Sequence, residues 1–176
     1  MEKRVIVYYS RTGTVRQVAE QLAAQTGWPL AEIEDVRSRT GFIGGMRSLL
    51  DNLLLRRPQY RYGGQALAEC EHAVVLAPIW AGRLAAPMRA FLEDQEPFEA
   101  KLSAICVMGG RGGFGAIEEI SRIAGKVPSP ALVLRRRDVV SGLAQQELLG
   151  FVAESVAVEQ RVDAAKRSAW LSPTEA

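Results

Sequence analysis

Two hydrophobic patterns alternate along this chain. Short, continuous apolar runs are typical of strands that are covered on both faces, and apolar residues at three- and four-residue spacing are typical of helices with one buried face. Because strand-like and helix-like segments follow one another in turn, we predict an α/β fold with a mostly parallel sheet. The predicted strands are Arg4–Tyr9, Leu30–Val36, Ala73–Ala77, Ala104–Met108 and Ala131–Leu134.

Four helices are predicted between and after these strands, in addition to the helical segment within residues 37–64. In the first, Thr14 is the expected N-cap and Gln17 completes a capping box, while Gly27 is expected to end the helix. The short and partly alternating strand Leu30–Val36 is typical of a sheet edge. The remaining helices are expected near Pro87, around Ile117–Ile123, and over residues 143–168.

Residues 37–64 do not fit a minimal α/β unit. Three glycines in this segment indicate turns, and a helical stripe of large apolar residues follows them. We interpret the segment as a helical insertion whose stripe packs in the core or forms a subunit interface, so a homodimer is one alternative. The stripe consists of Met46, Leu49, Leu50, Leu53 and Leu54.

The composition is that of an ordinary globular protein. Of the 176 residues, 48% are hydrophobic and 24% are charged. The length suits a single domain, expected over residues 1–168, with a loose tail at 169–176. The formal net charge of +2, with scattered basic residues, does not indicate a nucleic-acid partner, and no apolar run is long enough to span a membrane. We therefore expect a cytoplasmic protein.

Metal chemistry is not indicated by the sequence. The chain has one histidine, His72, and two distant cysteines, Cys70 and Cys106, without the spacing of a zinc site. A histidine-based catalytic triad is not indicated either, and Cys106 is expected to be a small buried side chain. Any chemistry is therefore expected to depend on a bound organic cofactor.

The unusual residues of the chain are concentrated in three segments that follow strands. Ser10–Val15 is rich in hydroxyls, the predicted loop Pro78–Ala85 contains a tryptophan, and Gly109–Gly115 is rich in glycine. Parallel strands present their carboxyl ends at one edge of the sheet, which is where open α/β sheets bind ligands. The first segment also precedes a helix, whose free amides attract phosphate. It matches neither the P-loop nor the dinucleotide fingerprint.

This set of loops resembles the flavodoxin family. Ser10–Thr14, Pro78–Gly82 and the glycine run follow the first, third and fourth strands as in that family, and the proline-led helix Ala86–Glu93 is also similar. The resemblance implies a flavodoxin-like three-layer sandwich, with a five-stranded parallel sheet of order 2-1-3-4-5 and helices on both faces. Flavodoxins are the standard example of flavin mononucleotide (FMN) bound at the switch point of this strand order.

The resemblance implies a phosphate cradle in the first loop. The family's loop usually ends in threonine, so Val15 removes one side-chain donor and keeps only its amide. The alternative is that Thr14 and Gln17 merely cap the helix and Gly13 merely forms a turn. The implied donors are the hydroxyls of Ser10, Thr12 and Thr14 and the amides of Arg11, Gly13, Thr14 and Val15.

The resemblance also implies that the other two loops surround the flavin ring. Trp80 is the expected stacking partner, with packing on the sheet edge as its alternative. Gly82 would let the backbone change orientation near the ring, and Phe114 would cover the ring or lie in the core. The expected cofactor contacts here are Pro78, Ile79, Trp80, Ala81, Gly82, Gly109, Gly110, Arg111, Gly112, Gly113 and Phe114.

Two redox functions are compatible with this resemblance. One is an FMN-dependent oxidoreductase that passes electrons from NAD(P)H to a quinone or another small acceptor. The other is an electron carrier that docks to protein redox partners. Arg11, Arg83 and Arg111 place positive charge in the three loops, which argues against a very low-potential carrier and favours the enzyme.

Two other functions occur on this topology. A degenerate, non-redox interaction module remains an alternative. A phosphate-responsive receiver domain is excluded, because Ser10 and Pro78 stand where such a domain needs acidic residues.

Overall fold

The structure, a computed structural model, describes residues 4–36, 54, 57–95 and 98–157. In this part of the chain, seven strands form one sheet and helices cover both of its faces. The strands are β1 (Arg4–Tyr9), β2 (Leu30–Asp35), β3 (Tyr60–Tyr62), β4 (His72–Trp80), β5 (Arg83–Leu84), β6 (Lys101–Met108) and β7 (Ala131–Arg135). The helices are α1 (Thr14–Thr26), α2 (Ala86–Asp94), α3 (Gly113–Ala124), α4 (Arg136–Val140) and α5 (145–157), with a 3-10 turn at Leu67–Glu69.

The sheet order is β3-β2-β1-β4-β6-β7, and β5 pairs with β4. Strands β2, β1, β4, β6 and β7 are parallel, which confirms the predicted five-stranded parallel arrangement. Two short antiparallel strands, β3 and β5, bring the total to seven rather than five. The order reverses direction between β1 and β4, so the switch point lies where these two strands end.

Strand β2 is not at the edge of the sheet, so that prediction was wrong. Strand β3 pairs with it in antiparallel register, with Ile33 opposite Tyr62 and Asp35 opposite Tyr60. The tyrosine rings of β3 pack against Phe91 of α2, with centroid distances of 5.7 Å for Tyr60 and 4.7 Å for Tyr62. These aromatic contacts explain how a strand of three residues is held in place.

The core has two layers, one on each face of the sheet, and successive residues of β1 alternate between them. Val5, Val7 and Tyr9 face the layer that contains α2 and α3. Ile6 and Tyr8 face the layer that contains α1, α4 and α5. Because β1, β4 and β6 are covered on both faces, their sequences are continuous apolar runs, and this is why the strands were recognisable.

Helix α1 does not begin as predicted. Gly13, with a φ of 87°, is the N-cap, Thr14 is the first helical residue, and this N-cap residue makes no side-chain capping hydrogen bond. The expectation of a Thr14–Gln17 capping box was therefore wrong; the Gln17 amide bonds the Gly13 carbonyl instead, at 2.9 Å. The predicted end is confirmed, since Gly27 adopts a left-handed conformation and donates its N–H to the Ala23 carbonyl.

Some predictions fall outside the described residues. The apolar stripe of the predicted insertion does so except for Leu54, which is 55% exposed, and so do the predicted tail and the end of the last predicted helix. Helix α5 begins at residue 145 rather than 143. Among the described helices, none has the length and apolar character needed to cross a membrane.

Candidate functional site

A cleft opens at the carboxyl edge of the sheet, at the switch point between β1 and β4. It brings together residues from all three loops that the sequence singled out, although they are far apart along the chain. The lining residues predicted from sequence are Ser10, Arg11, Thr12, Thr14, Val15, Pro78, Ile79, Trp80 and Gly109. Two further lining residues, Val107 and Arg136, were not predicted.

The first wall of the cleft is the turn between β1 and α1. The left-handed backbone of Gly13 directs the chain from the strand into the helix, and a side chain at Gly13 would meet open space. The Ser10 hydroxyl accepts a hydrogen bond from the Arg16 amide at 3.2 Å. The amides of Thr14 and Val15 have no intrahelical acceptor, because they belong to the first helical turn. This wall therefore combines hydroxyls and free amides at the positive end of a helix, a donor set suited to a phosphate.

The second wall carries Trp80, whose ring is held from two directions. The Tyr9 ring meets it edge-on, with centroids 5.5 Å apart, and the Arg11 guanidinium lies 5.6 Å from its centroid. Tyr9 is itself fixed, since its hydroxyl donates to the Asp35 carboxylate at 2.6 Å. Trp80 remains partly exposed, so it presents aromatic surface to the cleft.

The predicted loop Pro78–Ala85 is not a loop as a whole. Strand β4 continues through Pro78, Ile79 and Trp80, and the chain then returns antiparallel as β5, with Trp80 opposite Arg83. Two residues, Ala81 and Gly82, form the turn, with φ values of 49° and 77°. Two left-handed residues in a two-residue hairpin are the signature of a type I′ turn. Ala81 carries backbone strain here, because left-handed conformations disfavour a Cβ.

The third wall begins with Gly109 and continues into a tightly packed glycine turn. Side chains at Gly109 and Gly110 would meet open space. At Gly112, by contrast, a Cβ would lie 2.4–2.6 Å from the backbone of Gly82, and at Gly113 it would lie 2.4 Å from a methyl group of Val133. The glycines at 112 and 113 thus allow the glycine turn to contact the β4–β5 hairpin and β7.

Not all predicted site residues line the cleft. Gly13, Ala81 and Gly82 belong to the same turns without lining it. The segment 110–114 lines a neighbouring groove instead. Phe114, for which a core position was one alternative, is 85% exposed. The groove is lined by Met108, Gly110, Arg111, Gly112, Gly113, Phe114, Val133, Arg135, Asp138 and Glu147.

Positive charge surrounds the cleft. We call this set the arginine rim: Arg11, Arg83, Arg111 and Arg136, all of them exposed. Arg11 and Arg136 line the cleft itself, whereas Arg83 begins β5 and Arg111 lies in the glycine turn. Sequence reasoning missed Arg136, yet its position directly after β7 was a usable signal, because residues that follow parallel strands gather at this edge. The rim favours a ligand that carries negative charge.

The fold is flavodoxin-like. A flavoprotein from Lactobacillus acidophilus, solved in complex with FMN, superposes with a TM-score of 0.65 at 15% identity over 82% of this chain and 100% of its own. A WrbA-like flavodoxin from Agrobacterium tumefaciens gives a TM-score of 0.56 at 14% identity, over 91% and 99% of the two chains. An archaeal flavodoxin gives 0.54 at 16% identity, with the same shares covered.

These similarities lie in the structure rather than in the sequence. No protein-family model matches the sequence, and a comparison with curated proteins finds no similar sequence. Because the identities are low, these neighbours establish only the fold of this chain.

Proposed function

We propose that the protein binds FMN in the cleft and acts as an oxidoreductase that passes electrons from NAD(P)H to a quinone or another small acceptor. One observation carries this proposal. A helix N-terminus with many hydrogen-bond donors, the aromatic ring of Trp80 and the accessible backbone of Gly109 meet in one cleft at the switch point of the sheet. The FMN complex of the Lactobacillus acidophilus neighbour, which has the same fold, supports it.

The phosphate would bind in the turn between β1 and α1. The hydroxyls of Ser10, Thr12 and Thr14 and the amides of the first helical turn provide the donors, and Arg11 and Arg136 offset the negative charge. Each charge-assisted hydrogen bond contributes about 1.5–3 kcal/mol, so a few of them suffice to anchor a dianion. The Ser10 hydroxyl also stabilises the turn, because it accepts a hydrogen bond from the Arg16 amide.

The flavin ring would lie between Trp80 and the start of the glycine turn. Trp80 offers a partly exposed aromatic surface, Pro78 and Ile79 provide apolar contacts, and Gly109 leaves its backbone accessible because it has no side chain. Stacking on an aromatic ring and burial against apolar side chains both favour a planar ring here.

When bound, FMN supplies the ability to accept a hydride and to release electrons to a second substrate. In the net reaction NAD(P)H loses a hydride and becomes NAD(P)⁺, while a quinone gains two electrons and two protons, the second proton coming from solvent. The arginine rim would attract the phosphates of the nicotinamide substrate. The same charge disfavours docking to a basic redox partner, which is why we place the enzyme ahead of the carrier.

FMN binding is tested by calorimetric titration of the purified apoprotein with FMN and, separately, with riboflavin, which lacks the phosphate. We expect FMN to bind and riboflavin to bind much more weakly. Trp80→Ala should weaken FMN binding by about 1–3 kcal/mol, as expected for the loss of a stacking partner. The control is Trp28→Phe, since Trp28 lies at the amino edge of the sheet beside His72 and Arg4. Absence of FMN binding by the wild-type protein would contradict the proposal.

The reaction is tested by mixing the FMN-loaded protein with NADH or NADPH without oxygen. Rapid loss of the flavin absorbance at a rate that rises with nicotinamide concentration, followed by its return on adding a quinone, is the expected result. If reduction requires a separate reductase protein, the carrier function replaces the enzyme.

Replacing Arg83 and Arg111 by Gln should slow reduction by NADPH, whereas replacing the distant Arg122 by Gln should not.

A further inference from the structure

A buried ion pair lies behind the candidate site and takes no part in lining it. Arg89 of α2 is 3% exposed and Glu119 of α3 is 9% exposed. Arg89 Nη1 donates to Glu119 Oε1 at 3.3 Å. Oppositely charged side chains are rarely buried together in this way, because both members of the pair must lose their hydration.

The second carboxylate oxygen of this pair holds the β4–β5 hairpin. Glu119 Oε2 accepts the amide N–H of Leu84 at 3.0 Å. In the hairpin, the Ala85 amide bonds back to the Pro78 carbonyl on β4, whereas the Leu84 amide is directed to the other side. Strand β5 has only two residues, and this bond to α3 adds an anchor to its pairing with β4 and to the burial of the Leu84 side chain.

Stability alone is a poor explanation for the pair. Arg89 Nη2 is buried and has no hydrogen-bond partner among the described residues. An unsatisfied buried donor lowers stability, and apolar side chains of similar volume commonly pack at least as well as a buried ion pair. The arrangement instead suits a role in fixing geometry, since a carboxylate that is itself oriented by Arg89 accepts one specific amide.

The held segment adjoins the cleft through Trp80 and the glycine turn through Gly82. Trp80, which lines the cleft, pairs with Arg83, the residue before Leu84. The backbone of Gly82 lies directly against Gly112, the N-cap of α3. Glu119 sits on the same helix α3, so its bond to Leu84 ties the hairpin and the glycine turn into one unit.

We propose that Glu119, oriented by Arg89, is a positioning residue that holds the β4–β5 hairpin against the glycine turn. It thereby sets the width of the cleft between Trp80 and Gly109, where a planar ring would bind. This inference rests on the proposed function in that the ring is taken to be the flavin of FMN. The positioning itself is a property of the protein without ligand and is measurable there.

Two double variants separate the hydrogen bond from the charges. Arg89→Met with Glu119→Gln removes both charges but keeps an acceptor for the Leu84 amide. Arg89→Met with Glu119→Leu removes the charges and the acceptor together. Thermal unfolding confirms that each variant folds. We expect the Gln variant to bind FMN with a dissociation constant within about threefold of wild type, and the Leu variant to bind about tenfold more weakly or worse.

Amide hydrogen exchange in the apoproteins, followed by NMR, provides the second readout. The Leu84 amide should exchange about tenfold faster in the Leu variant than in the Gln variant, while amides in the centre of β6 exchange alike in both. Equal Leu84 exchange in the two variants, or equal FMN affinity, would overturn the inference. Failure of the wild-type protein to bind FMN would instead overturn the proposed function, and the exchange comparison would still decide whether Glu119 holds the hairpin.

Discussion

Ala81 is strained at its backbone because it occupies the first position of a type I′ turn without being Gly, Asn or Asp. Its φ of 49° lies in a region that Asn adopts readily, and Asn-Gly is the favoured pair for this turn. We therefore expect Ala81→Asn to raise the free energy of unfolding by about 0.5–1 kcal/mol. Gly82→Ala should lower it by about 1–2 kcal/mol, since a Cβ at φ 77° meets strain but no neighbour. Urea unfolding measures both, and changes of the same sign would contradict the turn assignment.

Gly112 combines backbone strain with close contact, and two other glycines separate these effects. Gly112 has a φ of 96°, and a Cβ there would also clash with the backbone of Gly82. At Gly125 a Cβ would meet only the strain of a φ of 66°, and at Gly110 it would meet neither strain nor a neighbouring atom. Alanine should therefore destabilise the protein most at 112, by about 2 kcal/mol or more, less at 125, and within about 0.5 kcal/mol at 110. Equal losses at 112 and 125 would mean that the glycine turn does not press against the hairpin.

At the scale of elements, β6 buries a thiol that ordinary reagents should not reach. Cys106 is fully buried in the middle of this strand, and burial, with a further contribution from Glu119, raises the pKa of its thiol to about 12. The thiol therefore stays protonated and covered near pH 8. We expect iodoacetamide to leave Cys106 unmodified in the native protein and to alkylate it in guanidinium chloride, as mass spectrometry of the peptides would reveal. Rapid native labelling would contradict the packing of β6.

The elements that could be predicted are those whose burial is uniform. Strands β1, β4 and β6 are apolar throughout because both faces are covered, so their composition alone indicates a parallel sheet. Strand β3 could not be recognised, because three residues with one arginine between two tyrosines carry no period. Pro78 suggested a loop because prolines are rare inside sheets, yet here its carbonyl accepts the Ala85 amide and the strand continues.

The candidate site was predictable to the extent that it follows from strand order. The turns after β1, β4 and β6 meet because parallel strands end at one edge, and this holds whatever their side chains. The division of the glycine turn between cleft and groove was not predictable, because it depends on the contact between Gly112 and Gly82. Nor was the buried pair of Arg89 and Glu119, since nothing in the sequence links α2 to α3.

For the molecule as a whole, one buried group, Cys106, and one partly buried group, Tyr62, couple stability to alkaline pH. Burial raises the pKa of Cys106 from 9.0 to about 12 and that of Tyr62 from 10.0 to about 12. The unfolded chain releases the Cys106 proton above pH 9 and the Tyr62 proton above pH 10, while the folded chain keeps both, so the unfolded state is favoured increasingly up to about pH 12. These groups should leave stability unaffected below pH 9. Above pH 9, Cys106 should lower it by up to about 1.4 kcal/mol per pH unit. The partly exposed Tyr62 should add a smaller loss above pH 10, because solvent reduces the effect of its burial.

Urea unfolding at several pH values tests this dependence. Cys106→Ala and Tyr62→Phe remove one titrating group each, so each variant should lose stability less steeply between pH 9 and pH 12 than the wild-type protein does. The Tyr62→Phe variant also loses the bond from the hydroxyl to the Gln65 carbonyl, so it should be less stable than the wild-type protein at neutral pH, and only its slope reports on the titration. Unchanged slopes in both variants would show that other groups control the alkaline transition.

The positions of the tryptophans have an optical consequence. Trp80 lines the cleft, whereas Trp28 is buried at the opposite edge of the sheet, between Arg4 and His72. An indole beside a flavin loses its emission to the flavin, and a more distant indole keeps more of it. In a Trp170→Phe background, which removes the tryptophan outside the described residues, FMN should quench the Trp80 component almost completely and the Trp28 component less. The intrinsic emission of the protein would then report directly on whether its cleft is occupied.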